Sequence, residues 1–311
     1  MASHTPTVFI AGATGSQGSS LAKELVALGW NVHSTTRDPA STGAFELSSA
    51  GVKLTKGDWD DEDALRASIA GCDKLFLCLM PDIVDPDRER RQAVRICEIA
   101  RKAGVTQVVS STSLGVSMFG TDERLQPGTL LYTLLEVKKA VEEVVSGAGF
   151  ESYTLLRPAY FMANFLEPNI NNYTDLLRDG EGGGTWSTAL TADTRLGLID
   201  HEDIARFTVA AFKEPESDRF KSKAIGLVSE FLTPQETMDR LGEAMGRRFQ
   251  AAFLSEEEIA AIPYGPIVLI KLEKSMRYMP DYVDMSELAA VTPLTSFKDF
   301  LEREKESVKK L

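Results

Sequence analysis

At 311 residues, 43% hydrophobic and 26% charged, the chain is long enough for one full α/β domain with a smaller appendage, or for one large domain, and it is neither disordered nor fibrous in composition. A formal net charge of -12 argues against direct nucleic-acid binding, which rests on clustered Lys and Arg. Cys72, Cys78 and Cys97 form no Cys-x-x-Cys pair and the three histidines are scattered, so the thiols read as interior hydrophobes in a reducing compartment and no metal is expected.

The opening stretch MASHTPTVFIAGA lacks a basic region followed by an apolar core, so it does not read as a secretory signal. The longest nearly apolar run, AAIPYGPIVLI, is broken by proline and glycine and falls short of the about 20 residues a membrane span needs. A soluble, cytoplasmic protein that does not enter membranes is the expectation. Residues 7–11 read as a first strand, and a helix over 19–28 ends at Gly29. Strands follow over 31–36 and 51–56, then a short helix over 61–70 with Leu65 and Ile69 one turn apart. Residues 74–80 are a buried-type strand stopped by Pro81. Beyond it come a helix over 88–103, a strand over 106–110, a helix over 136–146 and a strand over 152–157. Six strands alternating with helices predict an α/β fold, a Rossmann-type doubly wound parallel sheet. Past Pro158 the rhythm changes. Residues 160–186 are rich in aromatics, Asn and Gly, with a flexible Gly182-Gly183-Gly184 run. A helix over 202–212, a strand over 224–229, a helix over 234–244 and a capped helix start at Ser255, with Glu258 three residues on, complete the pattern. The boundary is placed at 155: a nucleotide-binding domain over 1–155 and a smaller α/β substrate-binding region over 156–311, with chain crossings between them.

The most informative segment is Gly12-Ala13-Thr14-Gly15-Ser16-Gln17-Gly18, which follows an apolar strand and opens a helix. Gly12 permits the tight turn, Gly15 lets the backbone approach a pyrophosphate, and Gly18 permits close helix–strand packing. Thr14, Ser16 and Gln17 line the same turn, where free N–H groups and the helix dipole favour an anion. At the end of the second strand an NAD-selective site carries Asp or Glu. Here Thr36 and Arg37 stand there, and a guanidinium suits a 2'-phosphate, so the expected cofactor is NADP(H). Asp38, before Pro39, reads as a turn residue. Asp58, beside Trp59, reaches the adenine edge, or else Asp58 or Asp60 caps the following helix. Leu79, Met80 and Pro81 lie beneath the adenosine–ribose run of the cofactor.

With these residues placed, the chain resembles the NmrA-like family, an atypical branch of the short-chain dehydrogenase/reductase superfamily near the isoflavone-reductase-like proteins. The resemblance rests on GATGSQG at 12–18, TTRD at 35–38, KGDWDD at 56–61, VVSSTS at 108–113, the helix around Lys138-Lys139-Ala140-Val141-Glu142, and LLRPAYFMANF at 155–165. Leu198-Ile199-Asp200 leading into His201-Glu202-Asp203 is similar to the family's late helix entry, and Pro293 to Phe297 to its closing segment. It implies an NADP(H)-binding Rossmann domain with a C-terminal substrate region. Some members reduce quinones, imines, enones or carbonyls in secondary metabolism. Others bind the dinucleotide and act as redox-responsive regulators through protein contact.

Short-chain dehydrogenases usually carry Tyr-x-x-x-Lys, but the residue four before Lys138 is Leu134, and the nearest tyrosine is Tyr132. Lys138 is expected to bind the nicotinamide ribose and act as proton donor, as the resemblance to the reductase relatives implies, with Tyr132 or an ordered water as other proton sources. The plainer alternative is a surface lysine, one of the Lys138-Lys139 pair bonded to Glu142. Ser111 and Thr112 follow a strand's carboxyl end, where a hydroxyl meets a substrate oxygen or serves a turn. Pro158, Tyr160, Phe161 and Asn164 follow the sixth strand and are expected to border the nicotinamide, the alternative being a core role. The function expected is an NADPH-dependent reductase of a small apolar or aromatic molecule. The alternative is a non-catalytic NADP(H)-sensing regulator acting on a protein partner. A hydrolase lacks its G-x-S-x-G elbow here.

Overall fold

The alternation read from the sequence is present in the computed structural model, which describes residues 5–82, 84–170, 174, 183–263 and 266–308. In order come β1 (Thr7–Ala11), α1 (Ser16–Ala27), β2 (Asn31–Thr36), α2 (Thr42–Ser49), β3 (Lys53–Lys56), α3 (Glu62–Ile69), β4 (Lys74–Leu77), α4 (Asp87–Lys102), β5 (Gln107–Ser111), α5 (Leu130–Gly147) and β6 (Ser152–Pro158). Then follow β7 (Tyr160–Phe161), β8 (Gly183–Thr188), β9 (Leu196–Ile199), α6 (His201–Lys213), β10 (Lys223–Leu227), β11 (Glu230–Leu232), α7 (Pro234–Met245), β12 (Arg248–Phe253), α8 (Glu256–Ala261), α9 (Pro266–Ser275) and, later, α10 (Phe297–Arg303).

Two compact units divide the chain. The first comprises Met1–Val116, Leu135–Arg157 and Ile204–Ile225; the second comprises Ser117–Leu134, Pro158–Asp203 and Gly226–Leu311. In the first, all five residues of β1 are buried, as a strand covered on both faces requires. It pairs in parallel with β2 and with β4, and the sheet runs β10-β6-β5-β4-β1-β2-β3. Strand order reverses beside β1, so the carboxyl ends of β1 and β4 flank the crevice where doubly wound sheets bind ligands. Leu65 and Ile69 of α3, Ile96 of α4 and Val141 of α5 close one face of the sheet over Phe9, Leu75 and Leu77. Cys72 and Cys97 lie in this core, and burial pushes both thiols up to about 12. The sheet has seven strands, one more than expected: the run over 224–229 becomes β10 and docks beside β6. The unanticipated α2 is capped by Ser41 Oγ, which accepts from Ala44 N.

In the second unit β9 lies between β11, antiparallel, and β7, parallel, while β8 pairs in parallel with β12. Its core is aromatic: Phe165 packs edge-on against Trp186 and Phe297, with centroids 5.3 and 5.6 Å away. The two late segments singled out in the sequence meet here. The Asp203 carboxylate accepts from Thr295 N and Oγ1 at 3.0 and 3.1 Å, and the buried Asp200 carboxylate takes both Arg303 nitrogens at 2.7 and 2.9 Å. Ser255 and Glu258 form the expected capping box on α8. Within the glycine run read as flexible, Gly183 and Gly184 open β8, and Gly182 lies outside the described residues, as do 171–173 and 175–181. Gly183 has φ +145°, and a Cβ there would sit 2.3 Å from Arg248 O, so close pairing with β12 is what requires it. Among the described residues no helix is long and apolar enough to cross a membrane, and no group of three or more His, Cys, Asp or Glu could hold a metal.

Candidate dinucleotide site

After Ala11 the chain turns through Gly12, whose φ of +89° favours glycine and where a Cβ would approach Cys78 O to 3.1 Å. Gly15 N donates to Gly12 O, and α1 begins at Ser16, three residues earlier than the apolar periodicity suggests. Gly15 is its N-cap and brings no side-chain acceptor, so the first-turn N–H groups remain for an anion. The glycines differ in what they serve. A Cβ on Gly18 would lie 2.2 Å from Gly12 O, so the fold itself excludes one. At Gly15 the nearest atom a Cβ would meet is 3.4 Å away, an ordinary contact. Gly15 therefore keeps space open above the turn, which is what a pyrophosphate needs.

The turn forms one wall of a cavity of about 640 Å³, a size suited to a cofactor. Gly12, Thr14, Gly15, Ser16, Gln17, Gly18, Arg37, Asp58, Trp59, Met80 and Pro81 line it, as do Thr35, Thr36, Gly57, Cys78, Asp82, Arg88 and Gln92. Arg37 is exposed at the end of β2 and forms no ion pair among the described residues. Asp38 does hold a turn, its Oδ1 accepting from Ala40 N. Asp58 accepts from Asp60 N, and the helix cap falls on neither candidate but on Asp61, one residue past Asp60, whose Oδ1 accepts from Ala64 N. Asp60 is occupied elsewhere: Arg88, Gln92 and Arg95 all donate to it. Burial pushes its carboxyl up, but these hydrogen bonds outweigh that and hold it below the usual range. Arg88 also bonds Asp82, so one guanidinium ties the loop after β3 to the loop after β4 on either side of the cavity.

Ser111, at the end of β5, donates to Gln17 Oε1 at 2.7 Å. Lys138 is not a surface lysine paired with Glu142. Its Nζ reaches inward to donate to Leu79 O at 3.1 Å and Glu89 Oε1 at 2.5 Å, while Lys139 takes the outer position with Glu143. Glu142 turns in as well, accepting from Arg157 and from Thr112 Oγ1 at 2.6 Å, so the Thr112 proton is committed to a buried network. Glu89 is only 1% exposed and its Oε2 has no partner among the described residues. Burial pushes its carboxyl up, with Lys138 opposing. Cys78, half-buried on the cavity wall, feels both charges and is pushed up to about 11, chiefly by burial. Leu79 is itself buried behind that wall. Tyr132 lies on the first turn of α5, which starts six residues before the expected helix. Six residues are about 600° of helical rotation, so Tyr132 and Lys138 occupy different faces; the Tyr132 ring packs edge-on against Phe119. In the second unit Pro158, Tyr160 and Asn164 are buried and Phe161 is half-buried; Tyr160 packs against Phe165, a core contact. Arg88, Glu89 and Gln92 escaped the sequence reading because the DRERR run looks like a solvated face. Glu89 nevertheless shares a stripe with Ala93 and Ile96, at i+4 and i+7, and that spacing was the available signal.

Fold and cavity together define a Rossmann-type protein with an oxidoreductase-like fold. The model of the NmrA-like family matches residues 4–301, and the chain belongs to that family. It is 26% identical over 291 residues to festuclavine dehydrogenase easG of Aspergillus fumigatus, covering 86% of this chain and 89% of the relative. Among solved structures it superposes on the negative transcriptional regulator NmrA with a TM-score of 0.75 at 19% identity, covering 97% of this chain and 98% of the other. It also superposes on the NADPH complex of the Escherichia coli quinone oxidoreductase QOR2, with a TM-score of 0.72 at 19% identity and coverage of 95% and 99%. At that identity both likenesses establish the fold.

Proposed function

We propose that the protein is an NADPH-dependent reductase of an apolar, conjugated or aromatic small molecule: a quinone, enone, imine or carbonyl compound. The observation that carries this reading is the placement of Lys138, whose ammonium is drawn in from the helix surface to the carboxyl end of β4 by Leu79 O and Glu89. The cofactor, when bound, supplies a hydride from nicotinamide C4. Gly12 to Gly18 hold its pyrophosphate and Arg37 its 2'-phosphate. Lys138 holds the nicotinamide ribose and the proton that completes the two-electron reduction. Ser111 and Gln17 fix the floor between them.

The relative named a dehydrogenase and the likeness to a quinone oxidoreductase support the same class. NADPH consumption assayed against quinones, enones, cyclic imines and carbonyl compounds tests it, and turnover above background with one class is the expected result. No turnover with any class would overturn the reductase. One observation favours the second reading, a dinucleotide-sensing regulator: the Tyr of Tyr-x-x-x-Lys is replaced by Leu134, and Tyr132 lies on another face. A protein partner gained or lost on adding NADP+ in affinity capture would then be the positive result.

A further inference from the structure

We infer that Glu89 is a positioning residue: its hydrogen bond holds the Lys138 ammonium in the one orientation in which it meets the nicotinamide ribose. The inference rests on the proposed role of Lys138. An ammonium has three N–H donors. Leu79 O takes one and Glu89 Oε1 another, leaving one N–H whose direction these two acceptors set. The two come from different elements, Leu79 from the loop after β4 and Glu89 from the first turn of α4, so the lysine is triangulated. Glu89 is 1% exposed and keeps Oε2 without a partner among the described residues, a cost that packing alone does not require, since an apolar side chain would fill the same stripe as Ala93 and Ile96. Lys138 is not sealed in: its side chain retains 16% exposure, and Cys78, which feels both charges, stands on the cavity wall. Leu79, whose carbonyl holds the Lys138 ammonium, lies between Cys78 and Met80, both of which line the cavity.

Limited acylation by acetyl N-hydroxysuccinimide ester, read by mass spectrometry with and without NADP+, tests this on the full chain, with Lys139 as the internal reference. In the unaltered protein NADP+ should protect Lys138 and not Lys139. Glu89→Gln keeps the reach and an acceptor oxygen, and should keep the protection. Glu89→Asp keeps the charge but withdraws the acceptor by one carbon. It should lose the protection and, with a substrate in hand, lower kcat about tenfold or more while the KM for NADPH stays within about twofold. Equal protection in the two variants, or loss in Glu89→Gln alone, would overturn the positioning role and leave the reading of Lys138 standing. Absence of protection in the unaltered protein would instead overturn that reading. Should Glu89→Asp fail to fold, Glu89→Leu replaces it with the same two outcomes.

Discussion

Cofactor preference turns on a single side chain. Arg37 is exposed, lines the cavity and has no competing carboxylate, so its guanidinium is free to take two phosphate oxygens. A charge-assisted pair of this kind contributes about 1.5–3 kcal/mol, so NADPH should bind at least about tenfold more tightly than NADH. Arg37→Ala should remove most of that gap and leave NADH binding nearly unchanged, with the gap shrinking as salt rises. Equal affinities in fluorescence titration of the unaltered protein at about 0.1 M salt would refute it. Gly15 gives a second test. Its φ of -82° suits any residue and no protein atom crowds a Cβ, so Gly15→Val should fold normally and lose dinucleotide binding by calorimetry. Lys138→Met strands the Glu89 carboxylate in the interior. It should destabilise the protein by about 3–5 kcal/mol, confounding any loss of turnover. Lys138→Met combined with Glu89→Gln should recover much of that stability in denaturant melts while remaining inactive.

At the scale of elements, α6 opens with a buried charge cluster that makes the second unit acid-sensitive. Burial pushes the His201 imidazole below its ordinary value, and its Nδ1 stands 3.6 Å from Asp200 Oδ1, too far for a hydrogen bond. The unfolded chain therefore takes up a proton near pH 6.5 that the folded state accepts only at lower pH. Stability from this group is full above about pH 6.5 and is lost as pH falls below it. Asp200 is raised by burial but pulled lower overall by Arg303, so its contribution disappears only further into acid. Thermal melts should show Tm falling between about pH 6.5 and 5, and His201→Asn should flatten that limb. An unchanged slope would show that His201 protonates freely in place. The capping box on α8 and the periodic stripe of α3 were legible because each depends on neighbours within four residues. The start of α1 was not, since exposed Ser16 carries no apolar signal, and α5 opens six residues before the helix read from the sequence, with Tyr132 half-buried on its first turn.

For the whole molecule, the proposed site exists only in the folded state, so NADP+ should raise the midpoint of unfolding. At about 100 times Kd the gain is about 2.7 kcal/mol, or a Tm shift of about 5–10 °C, and Arg37→Ala should shrink the shift. A Tm indifferent to NADP+ would contradict the dinucleotide site. The sequence by itself determined the doubly wound sheet, the glycine turn and the placing of Thr36 and Arg37, not a carboxylate, at the tip of β2. Strand periodicity, turn chemistry and the residue at a strand tip are local properties, carried by neighbours along the chain. Tertiary structure alone decided that the run near 224 becomes the seventh strand and that Thr112 gives its proton to Glu142. It alone brought Lys138, 49 residues from Glu89, inward to a buried carboxylate. A charged residue reads as solvated in sequence, and only the packing of α4 and α5 against one sheet leaves each of these charges nowhere else to be neutralised.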